Sequence, residues 1–283
     1  MPRADWNRPA LTKIDPDKRR IMIVVSYHGG SYHGFQSQSD IISVQNRLNE
    51  VLTKLTGETI VVQGSGRTDK GVHALEQYCH FDVSKTCSIP PEKYSQAMAT
   101  KLEKSIKVLL SKEVDDTFHA RFTTMAREYK YFIKAEKDFL PFDEGRITSV
   151  KKLPPLELLN EYASVLEGTH DFTTFASSRD GSVSKWRDIY TSNWTQVTDI
   201  YSKTVYVYTV VGNAFLYHQV RSMVGTMIHD GMNNSTKEVF LKRLEDKNRF
   251  SSLTTADGKG LYLSRISYDE DEYAWFEEKS NEW

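Results

Sequence analysis

The sequence predicts an α+β protein in two halves, each a largely antiparallel sheet with helices packed on it. Three observations predict it. Apolar, β-branched runs come in adjacent pairs, stretches with helical spacing separate those pairs, and no short-period repeat runs through the chain. A doubly wound parallel sheet would instead alternate strands and helices one for one.

Residues 1 to 20 lack the apolar core of a secretory signal and read as an N-terminal arm. RIMIVVSY (20 to 27) reads as a strand, and SVQNRLNEVLTKLTG then places Val44, Leu48, Val51, Leu52 and Leu55 on one helical face. Ser43 can cap that helix and Gly57 can end it. TIVVQ (59 to 63) and QYCHFDV (77 to 83) are strand-like and bracket a glycine-rich loop. PPEKYSQAMATKLEKSIKVLLSK opens on prolines suited to a helix start and continues with helix formers, which predicts a helix carrying Lys101, Lys104 and Lys107. DTFHARFTT and REYKYFIKA follow as two more strands.

Pro, Gly and charge mix over 138 to 155, which places the boundary between halves at about 145. The second half, 146 to 268, repeats the style. A helix is expected over 156 to 167, strands near 186 to 197 and 203 to 211, helices over 215 to 230 and 237 to 246, and a last strand at GLYLSRISY.

The 283 residues include 39% hydrophobic and 12% aromatic side chains, with no apolar run near the ~20 residues of a bilayer span. Two cysteines, Cys79 and Cys87, are too few for a disulfide scaffold, so free thiols in a reducing cytoplasm are expected. Neither thiolates nor paired histidines offer metal-ligand spacing. The net charge of −1 conceals an asymmetry, because residues 269 to 283 form an acidic tail of net −6 and the remainder carries +5. That excess permits a polyanionic partner. Lys101, Lys104 and Lys107, and the pair Lys185 and Arg187 around Trp186, are candidate phosphate contacts, although a solvated face is the better account of any single one of these charges.

The loop GSGRTDKGVHA (64 to 74) has the Gly-x4-Gly spacing of a phosphate cradle at Gly66 and Gly71. A cradle requires Lys and Ser or Thr after the second glycine and a helix beyond it; here Val72, His73 and a strand pattern follow. What remains is Arg67, Thr68, Asp69 and Lys70 displayed in a turn between strands. Adjacent cations favour an ionised Asp69, which suits a nucleophile or a stabiliser of a developing cation. On spacing alone, a charged hairpin in which Asp69 bonds its own turn is the stronger account.

GSGRTDKGVHALEQYCHFD resembles the signature of the TruA family of tRNA pseudouridine synthases. SYHGGSYHGFQSQ, SVQNRLNEVL, FHARFTTMAREYKYFI, HDFTTFASS, NAFLYHQVRSMVG and GLYLSRISY resemble its other blocks in the same order, from about residue 20 to 268. The resemblance implies an α+β fold with a central antiparallel sheet and a catalytic cleft between two similar halves. It implies a cytoplasmic homodimer that needs no cofactor and no metal, with tRNA as partner and uridines 38, 39 and 40 of the anticodon stem-loop as targets.

Residue by residue, the resemblance makes Asp69 the nucleophile and Tyr129 the tyrosine that stacks on the target base and helps remove its C5 proton. Arg221 becomes the basic residue that pairs with the aspartate and keeps it ionised. Arg67 is implicated in displacing the base from its stack, and Leu261 lines the base pocket. Without the other blocks a core role is the stronger reading of Tyr129, Leu261 is equally placed for one, and Arg221, among Val220, Val224 and Met227, sits at the margin of an apolar stripe. Two departures from the family pattern are Lys70 after the aspartate and TADGKG before Leu261.

Overall fold

The computed structural model describes residues 14–39 and 41–268. The chain divides into two compact units: residues up to Lys70 together with Ala74–Thr124, and Gly71–His73 together with Met125 onward.

The first unit contains β1 (Lys18–Tyr27), α1 (Val44–Thr56), β2 (Gln63–Gly64), β3 (His73–Ser84), α2 (Tyr94–Ala99) and β4 (Ile106–Val114). The strands run in the order β4-β1-β3 with β2 beside β3, all antiparallel. Ile21, Ile23 and Val25 are fully buried and Met22 and Val24 nearly so, hence the run is continuously apolar rather than alternating. In α1 the Ser43 hydroxyl accepts from the Asn46 amide and Gly57 closes the helix at φ 72°, as the sequence predicts.

Three local expectations fail here, each because partners elsewhere in the chain claim the backbone. Residues 59 to 62 form no strand. The Ile60 and Val62 amides donate to Thr53 and Asn49 of α1, and the Val62 carbonyl accepts from Gln45. The helix expected from Pro90 stops at Ala99, and SIKVLLSKEV joins the sheet as β4, pairing with β1. Lys101, Lys104 and Lys107 are exposed but share no helix, since Lys107 lies on β4. DTFHARFTT is a series of turns because buried Arg20, forked onto Asp82 at 2.7 and 2.8 Å, also donates to the carbonyls of Asp116 and Phe118.

The second unit contains β5 (Ala126–Ala135), β6 (Thr148–Val150), α3 (Leu156–Val165), β7 (Gly168–Asp171), β8 (Trp186–Thr198), β9 (Thr204–Gly212), α4 (Gln219–Met232), α5 (Lys237–Glu245) and β10 (Leu261–Ser267). Its strand order is β10-β5-β9-β8-β7, antiparallel, with β6 parallel to β5. Helices α4 and α5 are tied by Arg243, whose guanidinium forks onto the buried Asp230 at 2.7 and 3.0 Å. Asn160 of α3 bonds both backbone groups of Trp194 in β8.

The mixed α+β class holds in both units, but the division falls at 124/125, not near 145. β5 pairs with β9 and β10, and the Pro- and Gly-containing segment after it folds back as β6 alongside it. Helix α4 begins four residues later than expected. The Leu216 and Tyr217 amides are taken by Gln219 and Asp180 side chains, and His218 turns left-handed at φ 66°. β7, short and polar, carries no strand signature in the sequence. The expected N-terminal arm lies mostly, and the acidic tail wholly, outside the described residues. Among the described residues no helix is long and apolar enough to cross a membrane. Cys79 and Cys87 are free thiols.

His80 of β3 is buried, accepts the Ala120 amide through Nδ1 and has its pKa lowered to about 3, chiefly by burial and then by His119 and Arg20. The folded state therefore keeps it neutral while the unfolded chain protonates it near 6.5. Its contribution is complete above pH 6.5 and declines as pH falls toward 3, with a slope of about 1.4 kcal/mol per pH unit. Urea melts of the wild type and His80→Gln at pH 7, 5.5 and 4.5 should show the variant losing stability less steeply with acid.

Candidate active site

The glycine-rich loop joins β2 to β3, so no helix follows it and the phosphate-cradle reading is excluded by topology. Its first half is anchored by residues that alternate inward. Ser65 is fully buried, donates its amide to the Tyr78 carbonyl and its hydroxyl to Gln77, and Gln77 in turn donates to the Gly66 carbonyl at 2.6 Å. Thr68 is buried, with its hydroxyl 2.7 Å from the Tyr27 hydroxyl and its carbonyl accepting from the Phe35 amide at 3.1 Å.

Between these anchors Arg67 and Lys70 are exposed, and Asp69 is half-buried. Gly34, at φ 91°, lies so close beneath the loop that a Cβ there would sit 2.4 Å from the Thr68 carbonyl oxygen. Gly71 turns the chain at φ 80° into the second unit. There His73 is buried, stacks on Tyr262 at 4.5 Å and meets the Lys259 carbonyl at 3.1 Å.

Arg67 donates Nε to Gln36 Oε1 at 3.1 Å. Its charge, after desolvation, holds Arg121 below the usual arginine pKa, so a second cation stands near it. Asp69 and Arg67 thus belong to the first unit, whereas Tyr129, Arg221 and Leu261 belong to the second.

Tyr129 lies on β5, nearly buried, its ring meeting Phe215 edge-on at 5.1 Å. It pairs with Leu263 of β10, and its neighbour on the same face, Tyr131, pairs with Leu261. Tyr131 is committed to structure, bonded to Thr148 and to the Asp257 carbonyl, with its pKa raised by burial. Leu261 is 5% exposed, a packed strand residue beside Tyr131.

Arg221 is half-buried amid buried Val220, Ser222, Val224 and Gly225, at the margin of the apolar stripe of α4. Its Nε donates to the Ala256 carbonyl at 2.8 Å, and the Ala256 amide returns a bond to the Arg221 carbonyl. Gly225 permits that contact, since a Cβ on it would stand 2.5 Å from the Thr254 carbonyl. The charge of Arg221 reaches Tyr131, where it opposes the rise of the phenol pKa.

Lys185 and Arg187 do not form a solvated phosphate-binding face. Lys185 is salt-bridged to Asp180 at 2.5 Å, and Arg187 is buried, its pKa pulled down to about 10 by desolvation. The structural parts of Gln36, Gln45, Gln77 and His73 are not legible in the sequence, because glutamine and histidine carry no periodic signal. The doubled Gln of GFQSQ close before Ser43 was the visible trace.

This architecture coincides with a known family. The family model described as "tRNA pseudouridine synthase" matches residues 23–123 and 162–269. The tRNA pseudouridine synthase A of Borrelia duttonii is 34% identical over 251 residues, covering 89% of this chain and all of the relative. That of Borreliella afzelii is likewise 34% identical over 89% of this chain and all of its own length. A Thermoanaerobacter enzyme of the same name is 35% identical over 88% of this chain and all of its own length. The chain belongs to the TruA family of tRNA pseudouridine synthases.

Gly34→Ala should cost about 1–3 kcal/mol, because a left-handed alanine is strained and its methyl displaces the Thr68 carbonyl. Urea denaturation measures the loss. Unchanged stability would mean that the loop is not pressed against Gly34.

Proposed function

We propose that the enzyme converts uridine to pseudouridine at positions 38, 39 and 40 of the tRNA anticodon stem-loop, with Asp69 as nucleophile. The observation that carries this reading is the mount of Asp69. It is a half-buried carboxylate on a loop whose flanking Ser65 and Thr68 are buried and hydrogen-bonded, in a chain of this family. A fixed carboxylate meets the need for a nucleophile delivered to one sugar carbon.

The chemistry balances without a redox partner. The Asp69 carboxylate bonds to C1′ as the N1–C1′ bond breaks and uracil departs with the electron pair. Uracil then turns, C5 bonds to C1′ and the carboxylate is released. The proton on C5 is lost and N1 regains one, so product and substrate are isomers.

Tyr129 stacks on the base and takes part in removal of the C5 proton; support comes from its place on the β5 face beside the Leu261 and Leu263 strand. Arg221 keeps Asp69 ionised, and its half-buried guanidinium, oriented by the neutral Ala256 carbonyl, suits a charge-stabilising part. Arg67, exposed at the loop tip, displaces the base from its stack, a step that costs a few kcal/mol. Leu261 lines the base pocket. The family further supports a cytoplasmic homodimer.

Tritium release from C5-labelled uridine tRNA tests the reading. Asp69→Asn should lose on the order of 10³-fold or more of the wild-type rate. Release at the wild-type rate would remove Asp69 from the nucleophile's place, and no release by the wild type would overturn the activity on this substrate. Carbodiimide-stop primer extension should map the product to positions 38 to 40, and stops elsewhere would move the target site.

Arg221→Ala should lower single-turnover rate roughly 10- to 100-fold with tRNA affinity changed less than about threefold. An equal loss of affinity and rate would instead make Arg221 a binding residue.

A further inference from the structure

We propose that Gln36 is a positioning residue that aims the Arg67 guanidinium at the target nucleotide, and that Gln45 sets the direction of its amide. The inference rests on the reading of Arg67 as the side chain that displaces the stacked base.

Gln45, in the first turn of α1, is 4% exposed and its amide orientation is fixed from three sides. Its Nε2 donates to the Val62 carbonyl at 2.6 Å, and its Oε1 accepts from the Ser37 amide at 2.6 Å and from Gln36 Nε2 at 2.7 Å. Reversing the Gln45 amide would set an NH2 against two donors and an oxygen against a carbonyl, so only one orientation satisfies all three partners.

Gln36 is then determined in turn. Its NH2 faces Gln45, which leaves Oε1 toward Arg67 Nε at 3.1 Å. A reversed Gln36 would present donors to a guanidinium that has only donors. The polarity of one buried carbonyl, Val62, is thereby carried through two amides to an exposed cation at the tip of the loop.

The arrangement suits a side chain that must be aimed but not neutralised. A carboxylate in place of Gln36 would hold Arg67 more strongly and cancel the charge that faces an RNA backbone, whereas a neutral amide orients it and leaves the charge intact. Nε is the atom engaged, so among the described residues the two terminal nitrogens of Arg67 make no protein hydrogen bond. Nearby Arg121 repels Arg67, and without Gln36 nothing on this side would hold Arg67 in place against that repulsion.

The test compares single-turnover pseudouridine formation on two anticodon stem-loop RNAs. One has the target uridine paired in the stem, and the other has its pairing partner removed so that the uridine is already unstacked. On the paired RNA, Arg67→Ala should be at least about tenfold slower, and Gln36→Leu about five- to tenfold slower, the size of one lost hydrogen bond. On the unpaired RNA Gln36→Leu should come within about twofold of the wild type, because the step it serves is no longer needed.

The double variant Arg67→Ala with Gln36→Leu should be no slower than Arg67→Ala alone, since Gln36 acts only through Arg67. Gln36→Asn, which keeps an amide but shortens the reach, should reproduce the selective loss if leucine proves disruptive to folding. If Arg67→Ala is slow and both Gln36 variants run at the wild-type rate, the positioning role is overturned while the Arg67 reading stands. If Gln36→Leu is equally slow on both RNAs, the defect is structural and the proposal fails. A wild-type rate for Arg67→Ala on paired RNA overturns the Arg67 reading and this proposal with it.

Discussion

A loop that presents charge to a substrate has to be rigid, yet its charged groups cannot be buried to make it so. Here the conflict is settled by alternation. Ser65 and Thr68 point inward and take hydrogen bonds from or to Tyr78, Gln77, Tyr27 and Phe35, while Arg67, Asp69 and Lys70 remain accessible. A buried hydroxyl or amide with its partners satisfied costs little, whereas a buried unpaired charge costs several kcal/mol. Rigidity is therefore carried by the neutral residues of the motif. The glycines serve the same end: Gly34 lets the chain beneath approach the Thr68 carbonyl, and Gly71 supplies the left-handed turn that leads into β3.

Glutamine recurs wherever this loop is held. Gln77 joins Ser65 to the Gly66 carbonyl, and Gln45 joins Val62, Ser37 and Gln36. An amide is the one neutral side chain with donor and acceptor side by side, so it can bind two backbone groups of opposite kind and transmit an orientation. Serine reaches less far, and a carboxylate can only accept. Gln45, with Asn49 and Thr53, also explains why TIVVQ is not a full strand. With its amides and carbonyl bonded to α1 side chains, that segment has its backbone satisfied before any neighbouring strand can pair with it.

Much of the fold was legible where local chemistry and tertiary packing agree. The cap at Ser43, the stop at Gly57 and the β-branched run of β1 each report their own element. The failures share one cause. SIKVLLSKEV has helix formers yet lies in the sheet because β1 offers it a pairing edge, and DTFHARFTT has strand formers yet turns because Arg20, nearly a hundred positions earlier, draws its carbonyls. Neither partner can be seen in a local window. Asp69 was singled out by its charged, glycine-flanked setting, and the resemblance supplied its role. Gln36 and Gln45 were invisible because their importance lies in the direction of an amide, which spacing does not encode.

Among the described residues arginines are held in several ways, and two of these contrast. Arg20 and Arg243 are forked onto carboxylates, where bidentate geometry fixes the guanidinium and cancels its charge. Arg67 is instead oriented through Nε by a neutral acceptor, the Gln36 amide. Such a contact contributes direction without neutralisation, and it engages the nitrogen nearest the chain, so that the fork itself lies farthest from its anchor. A cation meant to act on a carboxylate or a phosphate needs both properties. By that criterion Arg67 differs from Arg20 and Arg243, on grounds independent of any sequence motif.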